Sequence, residues 1–202
     1  QKFQGESNPS AVYSSYKSNS HKATINYPVS DYFYDILNSS YFVNNLRHEY
    51  THYYTDMLLK NNGGDITLLP YWFSEGIATY IASRENVFTS YGDEIIPFKN
   101  MESFEEWDAT SSNQPAYYQV LNTIQYLVCL KGEEVLKEII SQVPKLGFNE
   151  AFKGALGISL NDFEQEFKAF MEEASVGEEE YISYDTYMTQ GFIALDTRLN
   201  AL

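Results

Sequence analysis

Internal disulfides are excluded from the outset: one cysteine, Cys129, stands among 202 residues. It lies in an apolar stretch with helical spacing, where a thiol is expected to be a small buried hydrophobe and not a reactive group. A chain without disulfides is still compatible with secretion. Long apolar runs are also missing. None reaches the ~18 residues that a membrane-spanning helix requires. Basic residues are scarce, with 13 Lys and Arg against 28 Asp and Glu, a formal charge of −15. Such a surface repels phosphate backbones and anionic bilayers, so nucleic acid is not an expected partner. A signal peptide is not visible, and the start at Gln1-Lys2-Phe3 without methionine is expected of a mature or excised form. Histidine is rare too, with three in all, and two of them fall within five residues of each other.

What is present is ample core material, 44% of the chain being hydrophobic. That suits one compact domain, or two small lobes around a cleft. Residues 1–20, rich in Ser, Asn and Gly from position 4, are expected to form a flexible leader. Residues 21–174 are expected to form the domain, and 175–202 a tail holding one more helix. His21 reads as a surface histidine. Partial alternation over 21–28 predicts a strand, and a helix is expected near 31–37. Ser39 or Ser40 can cap a helix that runs to Lys60, stopped by Asn61-Asn62-Gly63-Gly64. Pro70 suits the first turn of a second helix, ending near Ser83. Residues 86–98 read as loop with some extended structure, and Ser103 to Trp107 as a helical turn. Three further apolar stripes predict core-facing helices. The first starts at Pro115 and ends at Gly132. The second runs from Val135 to Val143. The third runs from Leu160 to Met171, with Ser159 and Asp162 in a capping pattern.

The chemistry concentrates in His48-Glu49-Tyr50-Thr51-His52 and Trp72-Phe73-Ser74-Glu75-Gly76. Positions i and i+4 share one helix face, so His48 and His52 can direct a ring nitrogen at one metal ion. Glu49 is turned off that face and is suited to act as a general base on water. A catalytic zinc takes three protein ligands and keeps a fourth position open for water. Glu75 supplies the third ligand. Val43, Leu46, Tyr50, Tyr53 and Met57 recur at helical spacing, which predicts a core-facing stripe with the histidines on the opposite, cleft side.

Arg47 to Tyr53 followed by Trp72 to Ala78 resembles the gluzincin zinc metallopeptidases, above all the bacterial collagenase-type peptidase unit and the peptidase MA-like domains. In those families a glutamate in a W-x-x-E-G-x-A helix completes the zinc site, matching Glu75. Ala116-Tyr117-Tyr118-Gln119 and Gly157-Ile158-Ser159-Leu160 resemble later segments of the same families. The likeness runs over roughly 40–172. It implies an α+β, predominantly helical, zincin-like domain with a small N-terminal sheet and a helical C-terminal lobe. It also implies Zn2+ as cofactor, a protein or peptide substrate, a secreted or cell-surface location, and Tyr117, or else Tyr118, as donor to the reaction's oxyanion.

Two positions depart from the pattern. Thermolysin-type enzymes place an aspartate four residues after the third ligand, where this chain has Thr79. Collagenases usually place an acidic residue before that ligand, where this chain has Ser74. No large activator module is seen, and the stretch before His48 is short for the family's N-terminal sheet. A zinc-bearing but catalytically silent domain that binds peptides or glycans is therefore the alternative. An aminopeptidase would need an acidic cluster for the substrate's amino terminus, of the G-x-M-E-N kind, which is not found.

Overall fold

The computed structural model describes residues 12–14, 24–26, 40–83, 95–111 and 115–174. Among the described residues seven helices carry the fold: α1 (Ser40–Asn61), α2 (Tyr71–Ala82), α3 (Phe104–Ser111), α4 (Pro115–Lys131), α5 (Glu134–Leu146), α6 (Phe148–Leu156) and α7 (Leu160–Ala174). Single 3-10 turns occupy Ile66–Leu68 and Phe98–Met101. Two three-residue strands, β1 (Val12–Ser14) and β2 (Thr24–Asn26), pair antiparallel with Tyr13 opposite Ile25. The ribbon touches α1 through β1, but two strands of three residues do not make a structural layer. The expected α+β class with a small N-terminal sheet is thus corrected. The described residues are predominantly helical, and no sheet forms a wall of the fold among them. The expected 31–37 helix, most of the 1–20 leader, the 175–202 tail and most of the 86–98 loop lie outside them.

Local sequence explains most helix ends. Gly63 takes φ 91 just after α1, a conformation that costs glycine nothing. Ser103 and Glu106 form a capping box on α3. The Glu106 amide donates to Ser103 Oγ at 3.2 Å, and the Ser103 amide donates to Glu106 Oε2 at 2.9 Å. The Asp162 amide donates to Ser159 Oγ at 3.1 Å and starts α7 as its capping pattern predicts. Helix α6, between Gly147 and Gly157, has no counterpart in the periodicity reading, because nine residues give too short a stripe to register.

Helix α2 is apolar almost all round and sits at the centre of the fold, as such helices must. Trp72, Phe73 and Ala78 are fully buried. Trp72 stacks on Phe98 with ring centroids 4.3 Å apart and meets Phe148 edge-on at 5.8 Å. Phe98 continues the cluster to Phe163 and Phe167 of α7. On its flanks α2 packs against α1 and α4. Gly76 makes the α4 contact close: a Cβ there would lie 2.8 Å from Ile124 Cγ1 and 3.0 Å from the Val120 carbonyl oxygen. Gly76→Ala is therefore expected to destabilise the fold by about 1–3 kcal/mol through overpacking. Urea denaturation monitored through the tryptophans checks this, and a variant as stable as the parent contradicts the close packing.

The predicted core stripe of α1 is also corrected. Val43, Leu46 and Tyr50 are 40%, 41% and 57% exposed and Tyr53 and Met57 are half-buried, while Thr51, Thr55, Asp56 and Leu59 are buried. The inward polar groups are satisfied within α1 itself or by the turn that follows it. Thr51 Oγ1 donates to the Arg47 carbonyl at 2.7 Å. Asp56 accepts from Lys60 Nζ at 2.6 Å and from the Ile66 amide at 3.2 Å. His48 and His52 face α2.

Candidate metal centre

His48 and His52 lie one turn apart on α1, and Glu75 reaches them from the first half of α2. His48 Nε2 and His52 Nε2 are 3.1 Å apart. Glu75 Oε2 is 3.3 Å from His48 Nε2, and Glu75 Oε1 is 3.4 Å from His52 Nε2. Donors bound tetrahedrally to zinc at 2.0–2.1 Å stand about 3.3–3.4 Å from one another. The closest approaches among the three side chains are near that edge length, each imidazole meeting a different oxygen of Glu75, so the three converge on a space that a zinc ion could fill. Among the described residues this is the group whose donor atoms could share one cation. The donor set, two imidazoles and one carboxylate, is a borderline set that suits zinc.

The electrostatics agree. Burial pulls the His52 pKa down to about 4, helped by the neighbouring His48 and only partly opposed by Glu75. His52 is therefore a neutral imidazole at pH 7, the form that ligates a metal. Burial also works against protonation of His48. There the hydrogen bond and charge of Glu75, with the charge of Glu49, outweigh it and hold the pKa above its ordinary value. Burial of Glu75 would raise its pKa, but the two histidines outweigh that effect and keep it below the usual carboxylate range. Two imidazole nitrogens and a carboxylate converging this closely are balanced either by a proton on His48 or by a cation among them.

Glu49 is buried, and its charge is felt at both His48 and Tyr117. Tyr117 lies in the first turn of α4. Burial pushes its phenol up to about 12, with the charges of Glu75 and then Glu49 adding to the effect. Tyr118 is one residue on, about 100° around the helix.

Three neighbours were not read from the sequence. The Trp107 indole N–H bonds to the Tyr117 hydroxyl, with the two rings 5.0 Å apart and edge-on. Tyr71, one turn before Glu75 on the same helix face, has its pKa raised by burial and then by the charges of Glu75 and Glu105. Ser74 Oγ lies 3.2 Å from His52 Nδ1. The i, i+4 spacing was signal enough for Tyr71. For Trp107 and Ser74 no pattern in the chain announced the contact. Thr79, at the position of the thermolysin-type aspartate, keeps a buried hydroxyl without a hydrogen-bond partner and orients no ligand.

No family model matches this chain, and no solved structure matches it. Among curated proteins it is similar to the uncharacterized protein YhcO of Bacillus subtilis (strain 168), with 30% identity over 133 residues, covering 64% of this chain and 41% of that protein. The chain thus spans less than half the length of that relative. No described helix is long and apolar enough to cross a membrane.

Proposed function

We propose that this chain is a zinc metalloendopeptidase domain, secreted or at the cell surface, acting on protein or peptide substrates. The observation that carries the reading is the convergence of His48, His52 and Glu75, with nitrogen and oxygen atoms 3.1–3.4 Å apart, and with Tyr117 within reach of the charges of Glu75 and Glu49. His48 Nε2, His52 Nε2 and a Glu75 carboxylate oxygen would hold the ion. Zinc, when bound, supplies Lewis acidity for the scissile carbonyl and for a water molecule. Glu49 takes a proton from the attacking water as the new C–O bond forms. It returns that proton to the amine nitrogen as the C–N bond breaks. The Tyr117 phenol stays protonated at neutral pH, with Trp107 donating into its oxygen. Its own proton is then available to the oxyanion of the tetrahedral intermediate.

Elemental analysis of the purified protein together with a peptide-library digest tests the reading. One zinc per chain and chelator-sensitive internal cleavage are expected. A protein without zinc, or with zinc and no cleavage of any peptide, contradicts it. The second outcome would favour the silent peptide- or glycan-binding domain, a reading supported by the lack of a substrate-binding sheet among the described residues.

Tyr117→Phe keeps the ring and its edge contact with Trp107 while removing the hydroxyl, which is both the oxyanion donor and the acceptor of the Trp107 N–H. It is expected to lower kcat by about 10²–10³-fold, with KM and zinc content little changed. Tyr118→Phe is the paired control and is expected to be mild. A large kcat loss in Tyr118→Phe alone would move the assignment to Tyr118. A loss in neither would remove both tyrosines from the chemistry.

A further inference from the structure

We propose that Tyr71, Phe104 and Glu105 form a substrate subsite beside the metal centre, one that takes a basic side chain, lysine or arginine, of a peptide. The proposal rests on the metallopeptidase reading above and names its substrate class. Helix α3 lines the site through two ring pairs. Phe104 meets Tyr71 with ring centroids 5.6 Å apart and tilted, and Tyr71 stands one turn before Glu75 on the same face of α2. Trp107, about one turn further along α3, meets Tyr117 edge-on at 5.0 Å. The two helices are tied together at this point, since the Tyr71 amide donates to the Glu102 carbonyl at 2.9 Å. Trp107 is buried, whereas Phe104 is 43% exposed and Tyr71 is half-buried. The Tyr71–Phe104 end of this wall therefore offers ring surface to a side chain arriving at the metal centre.

Charge selects what lies on those rings. Burial, then the charge of Glu75, then that of Glu105 raise the pKa of the Tyr71 phenol, so the Glu105 carboxylate is close enough to act on that ring. Glu105 is exposed and makes no side-chain hydrogen bond or ion pair among the described residues. Its neighbour Glu106 is by contrast committed to the α3 cap, where it accepts from the amide and hydroxyl of Ser103. A cation in the metal centre would take up the charge of Glu75 and leave Glu105 as the carboxylate acting at Tyr71. An aromatic face beside a carboxylate matches one kind of side chain. An aliphatic stem lies along the ring while a cationic head reaches the carboxylate. An acidic side chain meets repulsion there, and an apolar one leaves the charge of Glu105 unmatched. The chain as a whole, with 28 acidic residues against 13 basic, draws cationic peptides in the same direction.

The test uses the full chain and amino-terminally acetylated peptides, in which no free terminal amine competes for Glu105. Lysine is compared with norleucine, an uncharged analogue of similar length, at each position around the scissile bond. The ratio of the two kcat/KM values is read within one protein, so that differences in fold or zinc loading cancel. At the position that meets the subsite the parent is expected to favour lysine by about 3–30-fold, the range of one exposed ion pair with one exposed cation–π contact. The preference is expected to shrink as salt is added. Glu105→Gln is expected to lower the ratio by about 1.5–5-fold, and Glu105→Lys to lower it further. Phe104→Leu, which keeps an apolar surface but not the ring face, is expected to lower it as well. A parent ratio at or below one at every position overturns the subsite. So does a parent ratio kept by Glu105→Gln or by Phe104→Leu. A protein that cleaves neither peptide sinks the metallopeptidase reading instead. Fluorescence anisotropy with the same peptides, labelled, then decides the subsite by itself: a lysine preference reduced by Glu105→Gln supports it, and equal binding of the two peptides overturns it.

Discussion

The double substitution His48→Ala, His52→Ala is expected to abolish stoichiometric zinc binding, and peptide hydrolysis with it. Two of three protein ligands are removed, and Glu75 alone cannot retain a borderline cation against solvent. The substitution also takes away the groups that keep Glu75 ionised in a largely buried position. Without them that carboxylate is expected to take up a proton, because an unpaired buried charge is the costlier state. Elemental analysis after dialysis is the direct check, with circular dichroism showing that the helices persist. Their persistence is expected because the core is built from α2, α4, α5, α6 and α7 and does not depend on the imidazoles. Stoichiometric zinc retained by the double variant would sink the ligand assignment.

Glu49→Gln separates the base from the ligands. Glutamine has the shape of glutamate but cannot take the water's proton. Hydrolysis is expected to fall by about 10²–10⁴-fold, the scale of positioned acid–base help, while zinc content stays at one per chain. The substitution is gentle on the fold, since it replaces one buried polar group by another of equal size. It also removes a minor contribution to the raised His48 pKa, the larger ones coming from Glu75. A variant that cleaves at the parent rate shows that Glu49 is not the base. A variant that loses zinc as a histidine variant does would make Glu49 a ligand.

The two readings that the structure corrected share one cause. Val43, Leu46 and Tyr50 repeat at helical spacing and would ordinarily face the core, yet they are exposed. Periodicity assumes that apolar groups are the ones with something to gain from burial. In α1 the inward polar groups are satisfied, the histidines against Glu75 and Asp56 by Lys60 of the same helix and by the Ile66 amide, so their burial leaves no bonding deficit. The expected N-terminal sheet came from family likeness and a short alternating stretch, and among the described residues β1 and β2 pair over three residues. Strand pairing depends on a distant partner in register, which alternation within one segment cannot supply.

By itself the sequence determined the identity of the three candidate ligands, the extent of α1 and α2, and the stripes of α5 and α7. These follow from local rules: an i, i+4 pair shares a face, glycines and prolines punctuate helices, and Ser159 caps with Asp162. Tertiary structure alone decided that Glu75 stands 3.3–3.4 Å from both imidazoles. It alone brought Trp107 to the Tyr117 phenol and Ser74 to His52 Nδ1. The close seat of Gly76 against Ile124 and Val120 fixes where α2 lies, and with it the position of Glu75. Such contacts join segments far apart in the chain. Which of them form depends on how whole helices pack and on which buried polar groups find partners, and neither is a property of a local pattern.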